Sequence, residues 1–130
     1  GFFKNDEEHQ LQLISIIRKY QPSVVIGNVL HDRHPDHGRA GHLISDASFL
    51  SGLAKIETTD EKGNGQRKWR PKYVLQYIQD WYHEPDILID ISDVFEQRMK
   101  SIQAYSTQFN SGADKDGPQT YISTPDFLEG

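Results

Sequence analysis

Ser23 to Leu43 read SVVIGNVLHDRHPDHGRAGHL, and this stretch decides the fold. Its opening, Ser23 to Asn28 (SVVIGN), is a short and nearly continuous apolar run with β-branched residues, the pattern of a parallel-sheet strand covered on both faces. Beyond the middle, from Gly38 to Leu53, Ala40, Leu43, Ile44, Ala47, Leu50 and Leu53 repeat at helical spacing, and Gly41 allows close approach to a sheet. Between strand and helix lie His31, His34 and His37, with His42 one turn on, four of the chain's six histidines, interleaved with Asp32 and Asp36. The histidine stretch is therefore expected at a strand's C-terminal end, running into a helix that starts near Gly38. Ligands collect at that place in α/β folds.

Outward from this stretch, Leu11, Leu13, Ile14, Ile17 and Tyr20 make one apolar stripe over residues 7–20, and Pro22 ends that helix. Residues 55–71 have no sustained period, and Gly63-Asn64-Gly65 marks a turn. Tyr73 to Ile78 (YVLQYI) and Ile87 to Ile91 (ILIDI) are two further expected strands. Ser92 is the expected N-cap of a helix through Phe109, with Phe95, Met99, Ile102 and Ala104 or Tyr105 on its buried stripe. Residues 110–119 are rich in Gly, Ser and Asp and read as a loop. The order implies an α/β layer fold with a thin sheet. Gly1-Phe2-Phe3 reads as the middle of a loop and Thr124-Pro125 as the start of a helix, so the expectation is an internal piece of one larger domain, with strands missing upstream and the C-terminal end missing too.

The chain has 130 residues, 19 acidic against 14 basic, a formal charge of -5 and no cysteine. That balance does not steer the surface toward nucleic acid or anionic lipid, and any metal falls to His, Asp and Glu. No apolar run approaches a membrane span and no signal peptide opens the chain, so cytoplasmic is the default location.

A catalytic zinc site takes three protein ligands and leaves one position for water, so side chains from at least two segments must converge. His34 and His37 flank Pro35 and Asp36, and Pro35 limits the backbone between them. Both rings could serve one ion. Alternatively His37 takes the metal while His34 faces the reacting group, with Asp36 accepting a proton from one nitrogen of the His34 ring. The same spacing also occurs as helix-capping polar decoration. His42 reads as a surface or half-buried residue, His9 and His83 as structural, and Asp32-Arg33 equally as an internal ion pair or a substrate contact.

The stretch DRHPDHGRAGHL, with FLSGLAKIET, WRPKYVLQYIQD, EPDILIDISDVFEQRMKSIQAYSTQF and TPDFLE, resembles the LmbE/PIG-L zinc-dependent N-deacetylases, most closely their bacillithiol-pathway branch, over nearly the whole chain. The resemblance implies a Rossmann-like three-layer α/β fold with a mostly parallel sheet. It implies that His37 is a zinc ligand, that His34 stabilises the oxyanion and helps the amine leave, and that Asp36 orients His34. The substrate implied is an N-acetylglucosaminyl compound such as N-acetylglucosaminyl-malate, and the assembly a homo-oligomer, commonly a hexamer. The family's upstream Ala-His-Pro-Asp-Asp type motif, which carries its other ligands and the general base, is absent from this sequence. A non-catalytic module of the same fold is the rival expectation, and a two-metal phosphoesterase would need further carboxylates converging on His37.

Gln79 to His83 follow an expected strand, and Asp80 and Tyr82, with Arg33, suit sugar contacts; the same aromatic and charged groups suit subunit packing equally well. Lys62, Arg67, Lys68, Arg70 and Lys72 form the only basic cluster, which reads as a solvated connection or as a counter-charge for an anionic substrate group.

Overall fold

The computed structural model describes residues 1–105. The chain divides into two compact units, Gly1–Pro85 and Asp86–Gly130. The first contains α1 (Glu7–Tyr20), β1 (Val24–Asn28), α2 (Pro35–Leu50) and β2 (Tyr73–Tyr77). The two strands run parallel and in register from Val24 opposite Tyr73 to Asn28 opposite Tyr77. Parallel neighbours require a crossover, and α2 with the irregular stretch after it supplies that connection. This is a mixed α/β architecture with a parallel sheet flanked by helices.

Helix α1 begins where Asp6 caps it, its carboxylate accepting the His9 N–H at 3.1 Å. It ends at Gln21, which turns left-handed at φ 48° and donates its N–H to the Ile17 carbonyl. The stripe at period 3.6 does what its spacing requires: Ile14 and Ile17 are buried against Ala47 of α2, with Leu11, Leu13, Leu50, Ile56 and Trp69 around them. Tyr20, expected on the same stripe, is exposed.

Helix α2 starts three residues earlier than its apolar period suggests, at Pro35, because Pro favours the first helical position and its φ is already helical. Asp36 and His37 thus belong to the first helical turn, with His34 as the cap. Gly38 and Gly41 let this end of the helix rest on the chain leaving β1. A Cβ on Gly38 would stand 2.7 Å from the Leu30 carbonyl oxygen, and one on Gly41 2.6 Å from that of Val29. On the sheet, Gly27 faces α2, where Ile44 fills the space a side chain would take.

Coverage of β1 differs from expectation. Val24 and Ile26 are 43% and 65% exposed, so among the described residues only the face bearing Val25 and Gly27 is covered. A continuous apolar run states what both faces favour, whereas two strands and α2 cover one. Ile87 to Ile91, expected as a strand, form no ladder among the described residues, and Leu88 is 85% exposed. Its composition suits a strand, but a strand exists only where another backbone pairs with it. This segment opens the second unit, in which a short 3-10 turn (Ser92–Val94) leads into α3 (Phe95–Gln103). Ser92 does not cap α3; instead Asp90 accepts both its N–H at 2.9 Å and its hydroxyl at 2.6 Å. Met99 and Ile102 are half-buried, whereas Phe95 and Tyr105 are exposed. The end of that helix, the loop at 110–119 and the helix start at Thr124 lie outside the described residues.

The C-terminal end of α2 is held by a buried cation. Arg18, 4% exposed, donates Nε to the Ser51 carbonyl (3.1 Å), Nη1 to the Ile56 carbonyl (2.7 Å) and the Thr58 hydroxyl (2.9 Å), and Nη2 to the Leu53 carbonyl (2.9 Å). A positive charge at a helix C-terminus is favoured by the helix dipole, and the planar fork matches several carbonyls at once. Burial pushes the guanidinium pKa down from its ordinary value. Replacing Arg18 by Met keeps much of the apolar stem and orphans the Ile56 carbonyl, while the Ser51 and Leu53 carbonyls each lose one of two donors and keep the Trp69 and Ile56 N–H groups. The expected loss is about 1 to 3 kcal/mol, the cost of one buried unsatisfied group, read from urea unfolding.

Candidate active site

The site is assembled from two strand ends. Because β1 and β2 are parallel and in register, the histidine stretch after Asn28 and the segment after Tyr77 emerge side by side. Four contacts join them. Asn28 Nδ2 donates to Gln79 Oε1, Arg33 Nε to Asp80 Oδ2 (2.5 Å) and the Trp81 N–H to Asp32 Oδ1 (2.9 Å), while the His83 ring lies 2.8 Å from the His31 carbonyl.

His34 caps α2 with its ring. Its Nδ1 accepts the Asp36 backbone N–H at 3.1 Å, doing the work that an Asn or Asp oxygen does at other helix starts. With Nδ1 accepting, the neutral ring carries its proton on Nε2. The sequence suggests the Asp36 carboxylate as the partner of that ring, and the geometry differs: it pairs with Arg39 Nη1 at 2.5 Å. Asp36 orients His34 through its backbone, because a cap at the first turn aims the ring at the amides and the Asp36 side chain lies an i,i+3 step from Arg39.

The imidazole that does receive a carboxylate is His37. Its Nδ1 lies 2.6 Å from Asp32 Oδ2, and the Asp32 side chain is fully buried. Asp32 Oδ1 also accepts the Arg33 and Trp81 N–H groups, both at 2.9 Å. Burial pushes the Asp32 carboxyl upward, but the bonds from Trp81, His37 and Arg33 outweigh it and hold its pKa at about 2. The Asp32–Arg33 ion pair, one of the two readings of that dipeptide, does not form, since Arg33 turns its guanidinium to Asp80. The sequence carries no local signal for Asp32 as the brace of His37, because Trp81 lies 49 residues away.

The His34 and His37 rings stand 5.1 Å apart, tilted by 31°, and His31 and His42 meet edge-on at 6.1 Å. Tyr82 is 80% exposed and donates its hydroxyl to Glu84 at 2.5 Å. The basic cluster is elsewhere. Arg70 donates to the Phe49 carbonyl and stacks on its ring at 4.2 Å, twelve residues or about 18 Å along α2 from His37. His37, braced at one nitrogen and one-third exposed, has the donor chemistry of one zinc ligand. Among the described residues no three His, Asp or Glu side chains gather to complete such a centre. No helix among them is long and apolar enough to cross a membrane.

No family model matches the sequence. Diacetylchitobiose deacetylase of Thermococcus kodakarensis is 27% identical over 106 residues, 78% of this chain and 38% of that protein. The conserved protein TT1542 from Thermus thermophilus superposes with a TM-score of 0.75 at 29% identity, over 87% of this chain and 49% of its own. N,N'-diacetylchitobiose deacetylase from Pyrococcus horikoshii, solved with its inhibitor MPG, gives 0.72 at 25% identity, over 88% and 43%. The chain thus spans less than half the length of each of these relatives. Fold and sequence together make it a partial Rossmann-like α/β structure, homologous at low identity to the LmbE/PIG-L-type deacetylases.

The Arg33 and Trp81 amides both end on a buried carboxylate, whereas Tyr82 and Glu84 offer no such amide bond. Native-state hydrogen exchange by NMR is expected to show Arg33 and Trp81 protected at least about tenfold over Tyr82 and Glu84, a gap of about 1.4 kcal/mol in opening free energy.

Proposed function

We propose that, in the full-length protein, this chain supplies the oxyanion side and one metal ligand of an N-deacetylase site that hydrolyses the acetamide of an N-acetylated amino sugar. One observation carries the reading: two adjacent imidazoles at a helix start, one with Nε2–H directed away from its capping bond and the other braced by a buried carboxylate. His37 would hold a zinc ion together with ligands from outside the described residues. Bound there, zinc polarises the amide carbonyl and the attacking water.

His34 does the rest of the chemistry assigned to this chain. Its Nε2–H donates to the carbonyl oxygen as that oxygen gains negative charge, and an imidazolium, formed when Nδ1 takes a proton and releases the Asp36 N–H, can give its Nε2 proton to the departing amine. Asp36 acts by holding the ring at Nδ1 through its N–H. Arg33, Asp80 and Tyr82 form an exposed polar rim suited to sugar hydroxyls. N-acetylglucosaminyl-malate as substrate and hexameric association rest on the sequence resemblance, and a cytoplasmic location is a default taken from the sequence alone. A role for the basic cluster toward an anionic group loses support from its place at the far end of α2. The rival reading, a non-catalytic module, draws on the absence of a three-ligand cluster among the described residues. Zinc content and acetate release by the full-length protein separate the two.

His34 is both cap and proton donor, so Ala at this position confounds stability with chemistry. His34→Asn keeps a capping acceptor and removes the imidazole. It is expected to keep zinc and the melting temperature while turnover falls by about 10²-fold or more. Loss of zinc in parallel would make His34 a ligand. Neutralising Arg67 and Lys68 together is expected to leave KM for an anionic N-acetylglucosaminide within about threefold, and a rise beyond about tenfold would return the cluster to the site.

A further inference from the structure

We propose that Asp32 is a positioning residue that holds His37 as the Nδ1–H tautomer and leaves Nε2 as its lone-pair face. What Nε2 then meets rests on the deacetylase reading; the tautomer does not. An ionised carboxylate only accepts, so the 2.6 Å contact between Asp32 Oδ2 and His37 Nδ1 requires the proton to sit on that nitrogen. Nor can the carboxylate swing away. Its other oxygen receives two backbone N–H groups at 2.9 Å, one from Arg33 within the histidine stretch and one from Trp81 beyond β2, and the side chain is fully buried. Backbone donors do not rotate, so the direction of Oδ2 is set by the sheet register. The His37 side chain is 32% exposed, which leaves its far edge accessible.

The neighbouring ring is locked the other way. His34 accepts at Nδ1 and carries its proton on Nε2. Two imidazoles 5.1 Å apart therefore hold opposite tautomers, one with a donor and one with an acceptor on its free edge. Such a pair distinguishes a Lewis-acidic partner from a polarised oxygen, a division that two identical tautomers cannot make.

Asp32→Asn isolates the effect. The amide oxygen can still take both backbone N–H groups, which turns the NH2 group toward His37, forces Nδ1 to accept and moves the ring proton to Nε2, where it blocks coordination. The experiment is ¹⁵N NMR of the histidine rings in metal-free full-length protein near pH 8, where an ordinary imidazole is neutral, paired with zinc affinity by chelator competition. Wild type is expected to show His37 protonated on Nδ1 and the variant on Nε2, with zinc affinity lower by about 10- to 100-fold and the circular dichroism unchanged. A wild-type Nε2–H signal for His37 overturns the proposal, as does zinc affinity in the variant within about threefold of wild type. If the variant does not fold, the wild-type spectrum alone decides. If wild type binds no zinc, the deacetylase reading falls while the tautomer of His37 still settles the role of Asp32.

Discussion

Five rungs of parallel pairing, Val24 to Asn28 against Tyr73 to Tyr77, govern everything built at the histidine end of this protein. A shift of one residue would reverse which side chains of β2 face α2 and would move Trp81 by about 3.3 Å along the strand direction, out of reach of Asp32. Parallel strands begin at the same edge and end at the same edge. The segments that follow them, 29–37 and 79–83, therefore emerge together, although along the chain the whole of α2, the irregular connection and β2 stand between them. The site is a product of topology first and of side chains second.

The connection itself has to be anchored, because a crossover that can slide would release the register it creates. Helix α2 is fastened at both ends by different means. At its start, backbone lies against backbone where Gly38 and Gly41 carry no side chain, and the carbonyls of residues 28–30 fill that space. At its end, Arg18 reaches across from α1 and gathers the carbonyls of Ser51, Leu53 and Ile56. Trp69 adds a second tie, its N–H on the Ser51 carbonyl at 3.0 Å and its indole N–H on the Pro22 carbonyl at 2.9 Å. The small core of Ile14, Ile17 and Ala47 lies between these fastenings.

What can be read from the residues follows from the range of the forces involved. Helices α1 and α2 and the two paired strands are legible because period and composition are local, and the HPDH placement at a strand end follows from them. The strand expected at Ile87 to Ile91 fails for a non-local reason, since pairing needs a second backbone. In the site, His34 and His37 are legible as a pair, and capping is one of the open readings of their spacing. The choice of carboxylate is not. Asp36 lies next to His37 and two residues from His34 in sequence yet turns to Arg39, and Asp32, five residues before His37, becomes its partner only because Trp81 and the turn through Pro35 hold it there. A single sequence does not encode that choice in any short window.

The charges of this unit fall into two populations that respond differently to added electrolyte. Arg18 is buried and, among the described residues, has neutral oxygens as its partners. Mobile ions have little access to it. Arg33–Asp80 and Lys19–Glu61 are partly or largely exposed pairs, of the kind whose attraction shortens in range from about 30 Å at 0.01 M salt to about 3 Å at 1 M. Ionic strength is therefore a dial on the outer edge of the histidine loop, where Arg33 meets Asp80, and leaves the clamp at the far end of α2 untouched.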